Sequence, residues 1–326
     1  MTDIKFLGEE DYLSCMENEN KAWFDSEVTS DMIAGFDGTK LRYFTASPAT
    51  PKANIVVVHG MAEFIGKYRE YLWYLYRAGY RVFFLEQRGH GYSEGKCPEP
   101  DVIYINSYET YVKDLHKFIE TVVLPGANGL PLLMIAHSMG GCIGTLYLEE
   151  HPDVFKAAIL SSPMMKMNGA DYPPIVESLI GIFAAITGKS KKLALNQKHF
   201  NPEVTVTNSS AVSAPRFEYQ LAQRIADVHY QTCGASFGWA VASMKASRKA
   251  VKNAGLINIP ITVMTAGQDH LIDPAGYAAF REKVPGAVFN AYEKSRHEIF
   301  NADEVTRKQY FTDVLRTLDG YLNNAE

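Results

Sequence analysis

The chain has 326 residues, 47% hydrophobic and 21% charged, which suits one large globular domain with an insertion or two small domains. A formal net charge of −5 offers no basic excess for nucleic acid or for a polybasic membrane anchor. Cys15, Cys97, Cys142 and Cys233 are scattered, with no CxxC pair and no metal-ligand spacing, so four reduced thiols in a cytoplasmic protein are expected.

In chain order, Met1-Thr2-Asp3-Ile4-Lys5 runs into Glu9-Glu10-Asp11 without a positive segment and apolar core, so no secretory signal is read there. The segment to residue 29 is polar and is expected to pack on the core. Met32 to Phe44 reads as a hairpin around Asp37-Gly38, and Pro48 and Pro51 then punctuate a loop. Ile55 to Val58 is a continuous β-branched run, the mark of a strand buried on both faces. A helix from Tyr68 to Ala78 ends at Gly79. Strands are expected at Arg81–Leu85, Leu132–Ile135, Ala157–Leu160, Ile261–Thr265 and Val288–Ala291. Helices at Tyr108–Val123, Gly141–Glu150 and Pro274–Lys283 separate most of them. This alternation predicts an α/β fold, a mostly parallel sheet with helices on both faces.

Between residues 164 and 251 the rhythm breaks. This stretch holds an apolar helix from Ile175 to Ile186, a basic run at Lys189–Lys192 and a Ser/Thr-rich loop at Thr205–Ser213. It is expected to be an inserted, mainly helical cap on a core formed by residues 30–163 and 252–322. Its longest apolar stretch, Ser178 to Gly188, is too short to span a bilayer.

The chemistry centres on Ala136-His137-Ser138-Met139-Gly140-Gly141, directly behind the strand Leu132–Ile135. A serine flanked by small residues two positions before and after, where a strand turns into a helix, describes a nucleophile elbow. Such a serine needs a base, and the base needs an acid to fix its tautomer. Asp269 follows the strand beginning at Ile261, and His297 follows the strand beginning at Val288. The order Ser, Asp, His and the placement after strand C-termini both suit this chemistry. Asp273 reads instead as the cap of the helix at Pro274. The alternative acid position, Ser161-Ser162-Pro163, has no carboxylate. His270 sits beside the acid, His137 points away from Ser138, and His90, His151 and His199 read as loop or helix-end residues. The amides of Met139 and Met61 are the expected oxyanion donors. No metal and no cofactor are implied.

These motifs resemble those of the monoacylglycerol lipase and lysophospholipase group of α/β-hydrolases, a group filed with serine aminopeptidase S33. His59-Gly60-Met61-Ala62-Glu63 with Tyr68 resembles its HG-x-x-E…Y segment. Gln87-Arg88-Gly89-His90-Gly91-Tyr92-Ser93-Glu94-Gly95 resembles its R-G-x-G-x-S-x-G loop, and His137-Ser138-Met139-Gly140-Gly141 its H-S-M-G-G core. Asp269 and His297 match its acid and base, over about residues 30 to 322 of this chain. Ala136 replaces the group's usual glycine, and Glu86 stands where many members carry aspartate, a position that is normally structural. Arg88 is expected to bond loop carbonyls or a carboxylate.

The resemblance implies a metal-free serine hydrolase that cleaves esters of monoacyl lipids through an acyl-enzyme. A helix apolar on more than one face, as at 175–186, packs in a core, lines an acyl channel or touches a membrane surface. Ile175, Leu179 and Phe183 are its candidate substrate contacts, and transient membrane-surface contact through the cap is the expected peripheral interaction. Lys189, Lys191 and Lys192 read as a solvated cluster. No obligate protein partner and no nucleic acid are implied. The competing readings are a carboxylesterase of small esters, an S33-type aminopeptidase using Glu177 or Glu218 to hold an amine, and a ligand-binding protein on the hydrolase scaffold.

Overall fold

The computed structural model describes residues 4–170 and 172–323; residues 1–3 of the N-terminal segment, 171 and 324–326 lie outside the described residues. In chain order come α1 (Tyr12–Glu17), α2 (Glu19–Glu27), β1 (Val28–Ala34), β2 (Lys40–Ala46), β3 (Ala53–Val58), α3 (Ile65–Arg77) and β4 (Tyr80–Leu85). Next are β5 (Val102–Ile103), α4 (Tyr108–Phe118), α5 (Leu124–Gly126), β6 (Leu132–His137), α6 (Met139–Glu150) and β7 (Ala157–Ser161). The inserted stretch holds α7 (Pro174–Ile186), α8 (Ala214–Ala226), β8 (Gly234–Ala235) and most of α9 (Phe237–Asn253). β9 (Ile261–Ala266), α10 (Pro274–Lys283), β10 (Val288–Tyr292) and α11 (Glu304–Asn323) complete the chain.

Eight strands form one sheet in the order β1-β2-β4-β3-β6-β7-β9-β10. The β1–β2 and β2–β4 pairs are antiparallel and all later pairs parallel, as the α/β alternation predicts. Gly38 takes a φ of +88° in the hairpin turn, the left-handed backbone that the Asp37-Gly38 pair was read to supply. From β3 the chain passes first to β4 on one side and later to β6 on the other. The strand order therefore reverses between β3 and β6, and open α/β sheets leave their crevice at such a switch point.

Both faces of the sheet are buried. Val56, Val58, Met134 and Ala136 point into one core cluster with Tyr111, Ile143, Trp239 and Phe280 from α4, α6, α9 and α10. Their neighbours Ile55, Val57, Leu133 and Ile135 point into the other, with Tyr71, Trp73, Phe311 and Val314 from α3 and α11. The period-two alternation of side chains explains how an unbroken apolar run serves two cores at once.

Three features were not read from the sequence. The N-terminal segment is helical where a polar stretch was read, and Tyr12, Met16 and Trp23 are buried in the second core. Helix α9, assigned to the cap, lays Trp239, Ala242, Ala246 and Ala250 into the first core, so the insertion ends inside the core layer. Helix α8 buries Arg216 and Gln220. Arg216 donates two bonds to Glu70 of α3 (2.8 and 2.7 Å) and one to Glu9 (3.0 Å), while Arg307 of α11 reaches Glu9 at 3.3 Å. This buried network ties the insertion, α3, α11 and the N-terminus together.

Removing one partner from a buried charge network leaves the others uncompensated, at a typical cost of about 3–5 kcal/mol. Glu70→Ala, which leaves Arg216 and Arg307 to share Glu9, is expected to lose stability toward the lower end of that range in urea unfolding. A loss below about 1 kcal/mol would show that the network contributes no more than a surface pair.

Candidate active site

Ser138 lies between β6 and α6 with φ +53° and ψ −119°, a strained backbone for any residue but glycine. The strain is imposed by close packing. A Cβ on Gly140 would lie 2.2 Å from the carbonyl oxygen of Val58, and one on Gly141 would lie 2.5 Å from Cβ of Pro163. Helix α6 thus presses directly on the ends of β3 and β7, which only glycine permits. Ser138 donates its amide to the Ser161 carbonyl (3.1 Å), and its own carbonyl accepts the Met164 amide (2.9 Å). Ala136 is fully buried in the sheet, so the extra methyl is accommodated.

The loops after β9 and β10 bring the other two predicted residues to this serine. His297 Nε2 lies 2.7 Å from Ser138 Oγ, and His297 Nδ1 lies 2.7 Å from Asp269 Oδ2. The carboxylate accepts the Nδ1 proton, leaving the Nε2 lone pair facing the serine hydroxyl. The other oxygen of Asp269 accepts the amides of Leu271 (2.9 Å) and Ile272 (3.2 Å). Burial acts to raise the Asp269 pKa, but His297 and these two amides outweigh it, and the carboxyl sits below its ordinary range. Asp273 caps α10 through the Ala275 amide at 2.9 Å, as its position suggested.

The loop after β3 is held from behind. His59 Nδ1 faces the Gly60 carbonyl at 2.7 Å, and its Nε2 accepts the Gln87 amide at 2.8 Å, so the proton resides on Nδ1. Glu63 accepts the Gly60 amide (2.5 Å) and the Tyr68 hydroxyl (2.6 Å). Ala62 takes a φ of +61° directly after Met61. Strained non-glycine backbone at 62 and 138, on two neighbouring loops, marks the place where the fold concentrates positional demand. Met61 and Met139 both line the cavity around Ser138.

Sequence reasoning did not find Lys67. Its ammonium is shared by Glu63 (2.8 Å) and Glu298 (2.7 Å), so it bridges the loop after β3 and the residue following His297. Burial lowers the Lys67 pKa, and the two carboxylates more than restore it. Only its spacing four residues after Glu63 could have signalled the pair. His137 lines the cavity with Nδ1 donating to the Ser161 carbonyl (3.0 Å), turned away from Ser138 as expected. His90, read as a loop residue, is wholly buried with its ring centroid 5.1 Å from that of His59.

The cavity over Ser138 has a volume of about 540 Å³. Its apolar walls include Met139, Met164, Met167, Phe217, Leu221 and Trp239, and Asn168, Gln197, Thr205, Asn208 and Ser210 add polar lining. The predicted contacts Ile175, Leu179 and Phe183 are absent from these walls. They are 67, 57 and 61% exposed, because α7 turns that face outward while α8, α9 and the 205–211 loop line the cavity. Glu177 is buried and ion-paired with Arg248, outside this cavity, and Glu218 is exposed.

The remaining motif residues are structural. Arg88 binds Asp114 (2.8 Å) and Asp37 (2.8 Å), locking the first hairpin to α4. Glu86 accepts the amides of Ile65 (3.3 Å) and Tyr92 (2.8 Å), and burial pushes its pKa up to about 7. Among the described residues no group of three or more His, Cys, Asp or Glu could hold a metal, and the four cysteines are free.

A family model described as serine aminopeptidase, S33, matches residues 49–304. The chain is 24% identical over 303 residues to a probable lysophospholipase L2 of Haemophilus influenzae, covering 92% of this chain and 94% of that protein. It is 29% identical over 301 residues to a monoacylglycerol lipase of Mycolicibacterium smegmatis, covering 89 and 96%. Its fold matches a soluble variant of monoglyceride lipase from Saccharomyces cerevisiae in complex with a substrate analog, with a TM-score of 0.70 and 21% identity over 90% of this chain and 94% of that one.

Three histidines around the site carry a pH signature. Burial holds His59 and His137 down at about 4 and His90 at about 3. In the unfolded chain each takes its proton near pH 6.5, so the unfolded state gains protons first as the pH falls. Their contribution to stability is full above about pH 6.5 and declines toward pH 4, by at most about 1.4 kcal/mol per pH unit for each. Calorimetric melting between pH 7.5 and 4.5 should show this decline, and His90→Gln should make it shallower. An unchanged slope in that variant would remove His90 from the account.

Proposed function

Because the chain belongs to the serine aminopeptidase S33 family of α/β-hydrolases, we propose that it is a serine carboxylic-ester hydrolase that releases a fatty acid from a monoacyl lipid. The observation that carries this reading is the hydrogen-bonded chain Ser138–His297–Asp269, at 2.7 Å in each step, beneath a largely apolar cavity. Ser138 Oγ attacks the ester carbonyl while His297 Nε2 takes its proton. The Met61 and Met139 amides receive the oxyanion, and the start of α6 adds a favourable helix-end field. His297 then returns the proton to the departing alcohol, and water, activated by the same imidazole, resolves the acyl-enzyme. Asp269 stays ionised throughout and supports the imidazolium, consistent with its lowered pKa.

A cavity of about 540 Å³ falls within the usual range for a ligand of lipid-fragment size, roughly 300–1,000 Å³. Each acyl methylene buried against its methionine and aromatic walls contributes about 0.8 kcal/mol. The relatives named lysophospholipase and monoacylglycerol lipase support the substrate class. Charge favours an uncharged head group within it. Lys67 is shared by Glu63 and Glu298, and Arg224 is committed to the carbonyls of Tyr230 (3.1 Å) and Thr232 (2.9 Å). Neither lining cation is unengaged for a phosphate. The aminopeptidase alternative lacks support for the same reason, since the lining carboxylates Glu63 and Glu298 already hold Lys67.

The outward face of α7 supports contact with a lipid surface. Ile182, Phe183 and Ile186 are exposed, and Lys189 and Lys191 follow at its end beside Lys192, which pairs with Glu99 (2.7 Å), so apolar insertion and attraction of Lys189 and Lys191 to anionic head groups combine. No helix among the described residues is long and apolar enough to cross a membrane. Phe183→Asp with Ile186→Asp should abolish co-sedimentation with phosphatidylglycerol vesicles; undiminished binding would place the contact elsewhere.

Fatty-acid release from a monoacylglycerol and a lysophosphatidylcholine, measured side by side, tests the reaction. The monoacylglycerol should be preferred, and Ser138→Ala should reduce turnover by about 10⁴-fold or more with an unchanged melting temperature. Retained activity in that variant would remove Ser138 from the mechanism. Cleavage of only short esters by the wild type would keep the triad and reject the lipid substrate.

A further inference from the structure

The Ser/Thr-rich loop of the insertion is fastened to the segment that carries His297. One guanidinium nitrogen of Arg296 donates to the carbonyls of Val206 (2.9 Å), Ala211 (3.1 Å) and Ser209 (3.3 Å). The Ser209 hydroxyl shares two of these acceptors, Val206 (2.9 Å) and Ala211 (3.1 Å). The Glu298 amide donates to Ser210 O (3.1 Å), and Asn301 O accepts the amides of Val212 (2.9 Å) and Ser213 (3.0 Å). Residues 206–213 are therefore stitched along 296–301, with the base in the middle of the seam.

This loop separates two spaces. Thr205, Asn208, Ser209, Ser210 and Ala211 line the catalytic cavity. Asn208, Ser209 and His270 also line an outer cleft of about 420 Å³, and Arg296 faces that cleft. The loop and His270 thus form a partition, with Arg296 on its far side. The partition contributes polar side chains, whereas Met139, Phe217, Leu221 and Trp239 supply apolar walls suited to an acyl chain. The alcohol portion of an ester attacked by Ser138 belongs against the polar wall.

We propose that Arg296 is a specificity-determining residue: by fixing the 206–211 loop beside His297, it sets the position of the wall that receives the substrate's alcohol portion, a small uncharged polyol. This rests on the hydrolase reading above. Arg296 acts through the loop, and the role calls for its guanidinium. Three carbonyls converge on one planar, permanently charged donor group, which the shorter-reaching point charge of lysine does not reproduce.

Two esters of one fatty acid test the role, 1-monolauroylglycerol and p-nitrophenyl laurate, because they differ only in the alcohol. For Arg296→Met the ratio of kcat/KM for the glycerol ester to that for the nitrophenyl ester should fall about tenfold, mainly through KM. Arg296→Lys should not restore it. Arg296→Gln, a milder change, should lower the ratio in the same direction if the methionine variant folds poorly. Hydrogen exchange of amides 206–212 should accelerate in each variant. Equal losses on both esters would reduce Arg296 to a general structural role and overturn the proposal, as would rescue by lysine. A wild-type protein that cleaves both esters while the ratio stays fixed in the variants refutes this inference alone. A wild-type protein that cleaves neither refutes the hydrolase reading, and this inference with it.

Discussion

The contact on which the site depends is the approach of α6 to the end of β3. With no room for even one methyl between Gly140 and the Val58 carbonyl, the helix begins where the strand stops. That proximity accompanies the left-handed backbone of Ser138 and sets the start of α6 beside the loop that begins at His59. A strained residue persists only when its surroundings over-determine it. Here the surroundings are two fully buried strands whose ends are aligned, Val58 opposite Ala136 in the β3–β6 register. The strain at Ser138 is therefore held by the most buried part of the sheet.

Polar groups behind the site do a second job, fixing loops that apolar packing cannot orient. Burial keeps His59 neutral, and its two ring nitrogens then have opposite roles, one donating to Gly60 and one accepting from Gln87. A protonated ring would lose the second bond. Glu63 binds the Gly60 amide from the other side, and Lys67 passes that constraint on to Glu298, next to His297. Loops after three different strands are thus held by directional bonds in a poorly hydrated space, where a bond left unmade is costly.

Much of this was legible in the sequence, for a definable reason. The strands at Ile55–Val58 and Leu132–Ile135 declare themselves because burial on both faces demands unbroken apolar runs. Ser138, Asp269 and His297 stand out because each lies just past a strand run. The hairpin at Asp37-Gly38 and the cap at Asp273 are local chemistry, read correctly from a few residues. The N-terminal helices, α8 and the inward role of α9 were not read, because their burial depends on long-range partners. Arg216 looks like a surface residue until Glu70 and Glu9 surround it, and the Ala and Ser positions of α9 look neutral until α6 packs on them. Helix α11 also went unread, although Tyr310, Phe311, Val314 and Leu318 follow a helical period.

The error over Ile175, Leu179 and Phe183 follows from the same limit. Apolar periodicity says that a face avoids water, not which apolar surroundings it meets. Three surroundings were open to it, a packed core, an acyl channel and a lipid surface, and nothing local to residues 175–186 distinguishes them. What decides is the rest of the insertion. Phe217 and Leu221 of α8, Trp239 of α9 and the 205–211 loop already line the space above Ser138. Helix α7 packs on α9 outside that space, and its Glu177 lines a separate cavity with Met244 and Arg248 of α9. The insertion is thereby divided by layer: an inner layer that lines the space above Ser138, and an outer helix whose apolar face points away from it.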